Sequence, residues 1–280
     1  MQKEQRRGNT DLDDLILRTC DLPVLPATAQ KLLAMMSDPD ISVEGLKDVI
    51  MADPGITAKI LKIANSAFYG GHRSIQNLSQ AIMRLGFRAV ENIVMAASMK
   101  GVYKRFGLTE KLLWEQSIGA AVISHIIARR SSPAYAEDAF IGGLLHDVGK
   151  VVLNNEDPDS FHLVMERVYN EGCSFREVED EIFGFNHMQV GALVVRKWSF
   201  PESMEMLIKY FDNIESLSTD EYLYSIAKSV VTSDRICQKL GIGWRCQVEG
   251  VMDDDELREL LDMDAEEVTG LVDNVKSGVA

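Results

Sequence analysis

The chain has 280 residues, 46% of them hydrophobic and 26% charged, with a formal net charge of −14. That apolar content can fill a substantial core and excludes wholesale disorder. The acidity argues against a nucleic-acid partner, because an acidic surface repels phosphates instead of releasing their counterions.

Hydrophobic spacing near 3.6 recurs along the whole sequence, while two-residue alternation bounded by turns is almost absent, so the expected class is all-α. After a polar tail over 1–10, "DLDDLILRTC" predicts a short helix stopped near Pro23. Pro26 opens "PATAQKLLAMMSD", with Leu32, Leu33 and Met36 on one face, and Ser42 caps "VEGLKDVIMA". Asp53 followed by Pro54 is an N-cap with proline at the first helical position, and the helix it starts runs on to Gly70–Gly71. Asn77 and Gln80 have capping-box spacing, and Gly86 suits a left-handed C-terminal position. A helix over about 88–103 follows, and the pattern breaks at Gly107. There we place a boundary between an N-terminal helical unit, 11–106, and a second, 107–250. The second unit is expected to hold helices near 109–130, 136–153, 158–171, 175–183, 187–198, 201–212 and 219–240. An acidic helical pair over 251–280 caps the bundle.

No apolar run approaches the ~18–20 residues of a membrane span, and the opening "MQKEQRRGNT" lacks the apolar stretch of a signal peptide. Cys20, Cys173, Cys237 and Cys246 show no CxxC pairing, as expected of reduced thiols in a cytoplasmic protein.

A few polar side chains fall on apolar stripes, where burial is costly without a partner. The pair His146–Asp147 sits inside the apolar run "GGLLHDVGKVVL". Asn186 can cap "HMQVGALVVRKW", with Gln189 at capping-box spacing. His187 then lies in the first turn, at the positive end of the helix dipole, where a neutral coordinating ring is favoured. Asp234 shares a face with Leu223, Ala227, Val230 and Cys237, and Gln116 lines up with Ala120, Ile123 and Ile127. Two imidazoles and two carboxylates form the mixed nitrogen–oxygen set that divalent ions favour. Hydrogen bonding among the same groups would satisfy them equally. His72 and His162 lack such a setting, and His125 is over two turns from Gln116 on the same helix.

The blocks "LPVLPATAQKLL", "IMADPGITAKILKIANSAFYG" and "IQNLSQAIMRLGFRAVENIV", followed by "GGLLHDVGK", "NHMQVGALVVRKWSFP" and the helix through Asp234, resemble in order the HDOD domains. These are bacterial signalling domains related to HD phosphohydrolases. The resemblance runs from about Leu22 to Gly243. It implies an N-terminal helical bundle packed against an HD-domain-like bundle.

It also implies roles. His146 and Asp147 match the paired metal ligands of catalytic HD enzymes, His187 a later histidine ligand and Asp234 the closing aspartate. The first histidine ligand falls at Gln116, and a downstream histidine pair falls at Tyr210 and Phe211. The GYP loop of the cyclic-di-GMP phosphodiesterases is absent. HDOD domains are generally regarded as lacking HD catalysis.

The expected function is therefore a non-catalytic regulatory module acting on signalling proteins in trans, with no nucleic acid or membrane involved. Its residual site would hold one divalent transition metal, Fe, Mn or Ni, on His146, Asp147, His187 and Asp234, with Gln116 or water completing the shell. The alternative is a mononuclear phosphohydrolase acting on a nucleotide or cyclic dinucleotide, in which Lys150 and Arg235 contact phosphate. A third reading is a scaffold whose polar cluster fixes helix packing.

Overall fold

A computed structural model describes residues 12–36, 43–65, 75–104 and 107–277. The 1–10 tail, Ser42, Gly70–Gly71 and His72 lie outside these residues. Among the described residues the regular elements are all helical.

The N-terminal part comprises α1 (12–19), α2 (Ala27–Met36), α3 (Val43–Met51), α4 (Pro54–Ala64), α5 (Leu78–Leu85) and α6 (Phe87–Met99). Asp53 caps α4 as expected, accepting from the backbone N–H groups of Gly55 and Ile56. The helix is shorter than its apolar pattern suggests. It ends at Ala64 because Asn65 turns its side chain to the main chain, with Nδ2 donating to Leu61 O and Ile75 O and Oδ1 accepting from Ile75 N. Gly86 differs from expectation. Its φ of 87° is positive but its ψ is 158°, outside the left-handed helical well, and it serves at once as the C-cap of α5 and the N-cap of α6. A single glycine thus breaks what would otherwise be one helix, in a conformation that a Cβ disfavours.

Gly107 is the N-cap of α7 (Leu108–Ser131), with Glu110 accepting from the Gly107 N–H at 2.7 Å. This helix, about 36 Å long at 1.5 Å per residue, is the axle of the molecule. Against it pack α8 (Ala136–Leu145) and α14 (Glu221–Leu240). Between them in the chain run α9 (Val148–Glu156), α10 (Pro158–Glu171), α11 (Phe175–Phe183), α12 (His187–Lys197) and α13 (Glu202–Tyr210), with α12 lying on α9 and α13. One apolar cluster extends from Ile16 and Leu32 through Met95, Ile123 and Val152 to Leu271 and Val275. It passes Gly107 without a break.

The acidic pair α15 (Asp254–Leu261) and α16 (Ala265–Lys276) buries Leu257, Leu261, Leu271 and Val275 in that cluster. Arg130 clips it by donating to Glu259 O and Leu260 O, and Lys239 pairs with Asp254. No helix among the described residues is long and apolar enough to cross a membrane. All four cysteines are free.

The single helix expected over 136–153 is instead two helices, broken by a turn at His146–Asp147. Consecutive residues on a continuous helix diverge by about 100°. At this corner Asp147 leaves helical geometry, with φ −102° and ψ 11°, so both side chains are directed to one place.

Candidate metal centre

Four segments supply a polar cluster in the heart of the second bundle. The α8–α9 corner gives His146 and Asp147, α12 gives His187 from its first turn, α14 gives Asp234 and α7 gives Gln116. His146 Nε2 is 3.4 Å from Asp147 Oδ2 and 3.9 Å from Asp234 Oδ1, and His187 Nε2 is 3.6 Å from Asp147 Oδ1. The Gln116 amide nitrogen donates to Asp234 Oδ1, and Gln238 Nε2 donates to Asp234 Oδ2 at 2.9 Å. Of the residues that the sequence singles out, His146, Asp147, His187, Asp234 and Gln116 do meet.

Both imidazoles are fixed from behind. His146 Nδ1 donates to Gly143 O at 2.7 Å, and His187 Nδ1 is 2.5 Å from Glu179 Oε2, which also accepts from the His187 backbone N–H. A donated Nδ1–H leaves the Nε2 lone pair for the cluster, the arrangement in which outer partners orient a ligating histidine. Glu179 is not foreseen by the sequence. It is fully buried, yet in "FREVEDEIF" nothing distinguishes it from the neighbouring Glu177, Asp180 and Glu181.

Lys150 is the second surprise. It is 7% exposed, and its Nζ lies 2.8 Å from Asp147 Oδ2 and 4.0 Å from the centre of the Phe175 ring. Arg235 does not join the cluster. Its side chain is exposed and donates to Val251 O, because one residue beyond Asp234 on a helix faces about 100° away. Tyr210 and Phe211 end α13, and Phe211 packs edge-on against the His146 ring at 5.2 Å. His125 pairs instead with Glu137, and His162 is exposed.

Burial opposes the charge of Asp147, but His146, Lys150 and His187 outweigh it and hold its carboxyl well below the usual range. Burial likewise depresses Lys150, yet Asp147, Asp234 and Glu179 more than offset this and raise the ammonium above its ordinary value. For His146, burial lowers the imidazole while Asp147 and Asp234 raise it, with a net upward shift. At 3.9 Å the Asp234 contact is electrostatic and not a hydrogen bond.

Asp147, His187 and Asp234 help to line a cleft of about 390 Å³, together with Lys150, Phe175 and Trp244 among others. Arg176 is tied to Asp212 at 3.0 Å across its rim.

The HDOD domain profile matches residues 22–214. The chain belongs to the HDOD family. An HDOD domain protein of unknown function from Geobacter sulfurreducens superposes with a TM-score of 0.78 at 23% identity, over 98% of this chain and 97% of that one. A protein of Shewanella amazonensis, provisionally described as a phosphohydrolase, has a TM-score of 0.69 at 22% identity and 95% and 92% coverage. One of Marinobacter aquaeolei, provisionally described as a signal transduction protein, has a TM-score of 0.66 at 22% identity, over 98% of this chain and 64% of that one. An uncharacterized Treponema pallidum protein is 24% identical over 105 residues, and the match spans 20% of its length. At these identities the likeness to the solved structures establishes the fold. The match ends before the expected Gly243, so α14 with Asp234, α15 and α16 lie beyond it.

Do the residues fit a metal ion? Among the described residues no group of three or more His, Cys, Asp or Glu side chains is placed so as to hold a metal ion. Three buried atoms at the cluster nevertheless lack any hydrogen-bond partner: His146 Nε2, Asp147 Oδ1 and Gln116 Oε1. Buried polar groups are normally satisfied, and each of the three can give a lone pair to a cation. The donor chemistry fits one divalent ion held by His146, Asp147, His187 and Asp234, with Gln116 beside them.

Proposed function

We propose that this HDOD chain is a non-catalytic signal-transduction module of the cytoplasm, acting through protein contacts in trans. Its HD-like centre would hold one divalent transition metal, Fe, Mn or Ni, for structure or sensing. The observation that carries this reading is that the two carboxylates are largely engaged by the protein itself, with Asp147 Oδ1 alone left without a hydrogen bond. Asp147 Oδ2 is occupied by Lys150, and the two oxygens of Asp234 are occupied by the Gln116 and Gln238 amides. Two-metal phosphoester hydrolysis needs carboxylates free to bridge ions and an open coordination position. Gln116, Tyr210 and Phe211 stand where catalytic relatives place histidines, so the second ion has no cage. A bound divalent ion would supply positive charge between Asp147 and Asp234; the protein orients the ligands through Gly143 and Glu179. The Marinobacter neighbour's description agrees with a signalling role.

The alternative is a mononuclear phosphohydrolase. What favours it is the cleft, whose 390 Å³ suits a small ligand and which presents Lys150 and Arg176 beside the cluster. One set of measurements separates the two. Purified protein is assayed for bound metal, then loaded with Mn²⁺ and offered cyclic-di-GMP and simple phosphodiesters. We expect one ion and no turnover. Hydrolysis that His146→Ala abolishes would establish the alternative. On melting, an ion that binds only the folded chain should add ~2.7 kcal/mol at a hundredfold excess over its dissociation constant, and Asp147→Ala should remove that gain. No shift and no metal would leave the cluster a hydrogen-bonded scaffold.

A further inference from the structure

The Asp147 carboxylate is divided between two environments. Oδ2 accepts from the Lys150 ammonium, whereas Oδ1, on the side of His187, is buried without a partner. Lys150 lies one helical turn beyond Asp147 on α9 and is nearly as buried as the cluster itself. Only Asp147 receives a hydrogen bond from it among the described residues, and its other face rests on the Phe175 ring. A lysine is normally taken into the interior only with a countercharge, since an isolated buried ammonium is very costly. Here the ammonium stands beside a cluster in which His146 Nε2, Asp147 Oδ1 and Gln116 Oε1 are buried without partners.

From this geometry we infer that Lys150 is a built-in counter-cation of the HD-like centre. It neutralises Asp147 when no metal is present, and it weakens the binding of a divalent ion by competing for the same carboxylate. The inference rests on the one-ion reading above and deepens it. Like charges repel, and two cations sharing one carboxylate lie within a few ångströms, where even a screened interaction is worth a factor of ten or more. Lys150 would thereby keep the folded chain intact in the metal-free state while setting the metal affinity low. Such a site follows changes in free metal instead of remaining saturated. Phe175 has a positioning role, because its ring lies under the ammonium and holds it on Oδ2.

The test compares wild type with Lys150→Met, and with Lys150→Gln, which retains a hydrogen-bond donor should Met at this position fail to fold. Mn²⁺ affinity is measured by calorimetry, and melting temperature is measured in chelator and in excess Mn²⁺. We expect both variants to bind Mn²⁺ on the order of tenfold more tightly than wild type. In chelator both should melt below wild type, because Asp147 is stranded, and excess Mn²⁺ should restore much of the loss. Binding in the variants but none in wild type would support the same inference in its strongest form. Equal or weaker binding in the variants, with binding intact in wild type, would overturn the role of Lys150 and leave the one-ion reading standing. Absence of binding in all three proteins would overturn both.

Discussion

Gly149 is where the packing around the His146–Asp147 cluster is least forgiving. It lies in α9 two residues after Asp147, and a Cβ there would stand 1.9 Å from His187 O, 2.7 Å from His187 C and 2.9 Å from Gly191 N. Real Cβ contacts do not fall below 3.0 Å, so α12 must retreat from α9 by at least 1.1 Å. The obstructing atoms are main chain within a helix, and no rotamer change relieves them. Overpacking that shifts side chains and backbone typically costs about 1–3 kcal/mol, and with only main chain to yield this case belongs at the upper end, ~3 kcal/mol. Alanine returns ~1 kcal/mol through its better helix propensity, leaving a net loss of ~2 kcal/mol. At roughly 2–4 °C per kcal/mol for a chain of this size, Gly149→Ala should melt about 4–8 °C below wild type. Gly270→Ala is the control: it lies in α16, and its Cβ would meet nothing within 4 Å. There the same change should be neutral or stabilising by up to ~1 kcal/mol. The assay is thermal unfolding of the three proteins side by side. A Gly149→Ala protein as stable as wild type would refute the close approach of α9 and α12, and with it the placement of His187 opposite Asp147.

Other outcomes depend on single residues. Glu179→Ala removes the acceptor behind His187 Nδ1 and its backbone N–H, so Mn²⁺ affinity measured by calorimetry should fall about 10–100-fold; unchanged affinity would show that Glu179 does not orient the ring. Asp220→Ala deletes the acceptor for Leu223 N at the start of α14 and should cost ~1 kcal/mol in urea unfolding. Burial raises the Asp138 carboxyl above its ordinary value, with Tyr222 and Arg88 opposing and Glu137 adding to the shift. A raised acid binds its proton more tightly in the folded state, so its contribution to stability grows as pH falls through the folded pKa towards the ordinary value of about 3.8. The melting advantage of Asp138→Asn over wild type should accordingly be largest at neutral pH and shrink on acidification; an advantage constant with pH would refute this. Because one apolar cluster runs from Ile16 to Val275, unfolding is expected in one transition. Two resolved transitions would show that the division proposed at Gly107 separates independent folding units.

The local code of this chain is legible in its residues. Asp53–Pro54, Asn186 with Gln189, and the 3.6-residue apolar period place helices where they are found, because capping and amphipathicity act over one or two turns. The cluster was legible for a related reason: histidine, aspartate and glutamine on apolar stripes must find partners inside, and His146, Asp147, His187, Asp234 and Gln116 do meet. What failed were features fixed by contacts between distant segments. The apolar run over 136–153 carries no proline, and none of its glycines falls at the break, so its division at His146–Asp147 shows only where the side chains converge on α12 and α14. Lys150 looks like a surface charge until Asp147 and Phe175 enclose it. Glu179 is one acidic residue among several until His187, eight residues on, folds back onto it. Arg235, beside Asp234 in sequence, faces away because a helix separates neighbours by about 100°. Sequence determined which side chains needed partners; the tertiary structure alone decided which partner each received, because partner choice depends on distances between helices that no local periodicity encodes.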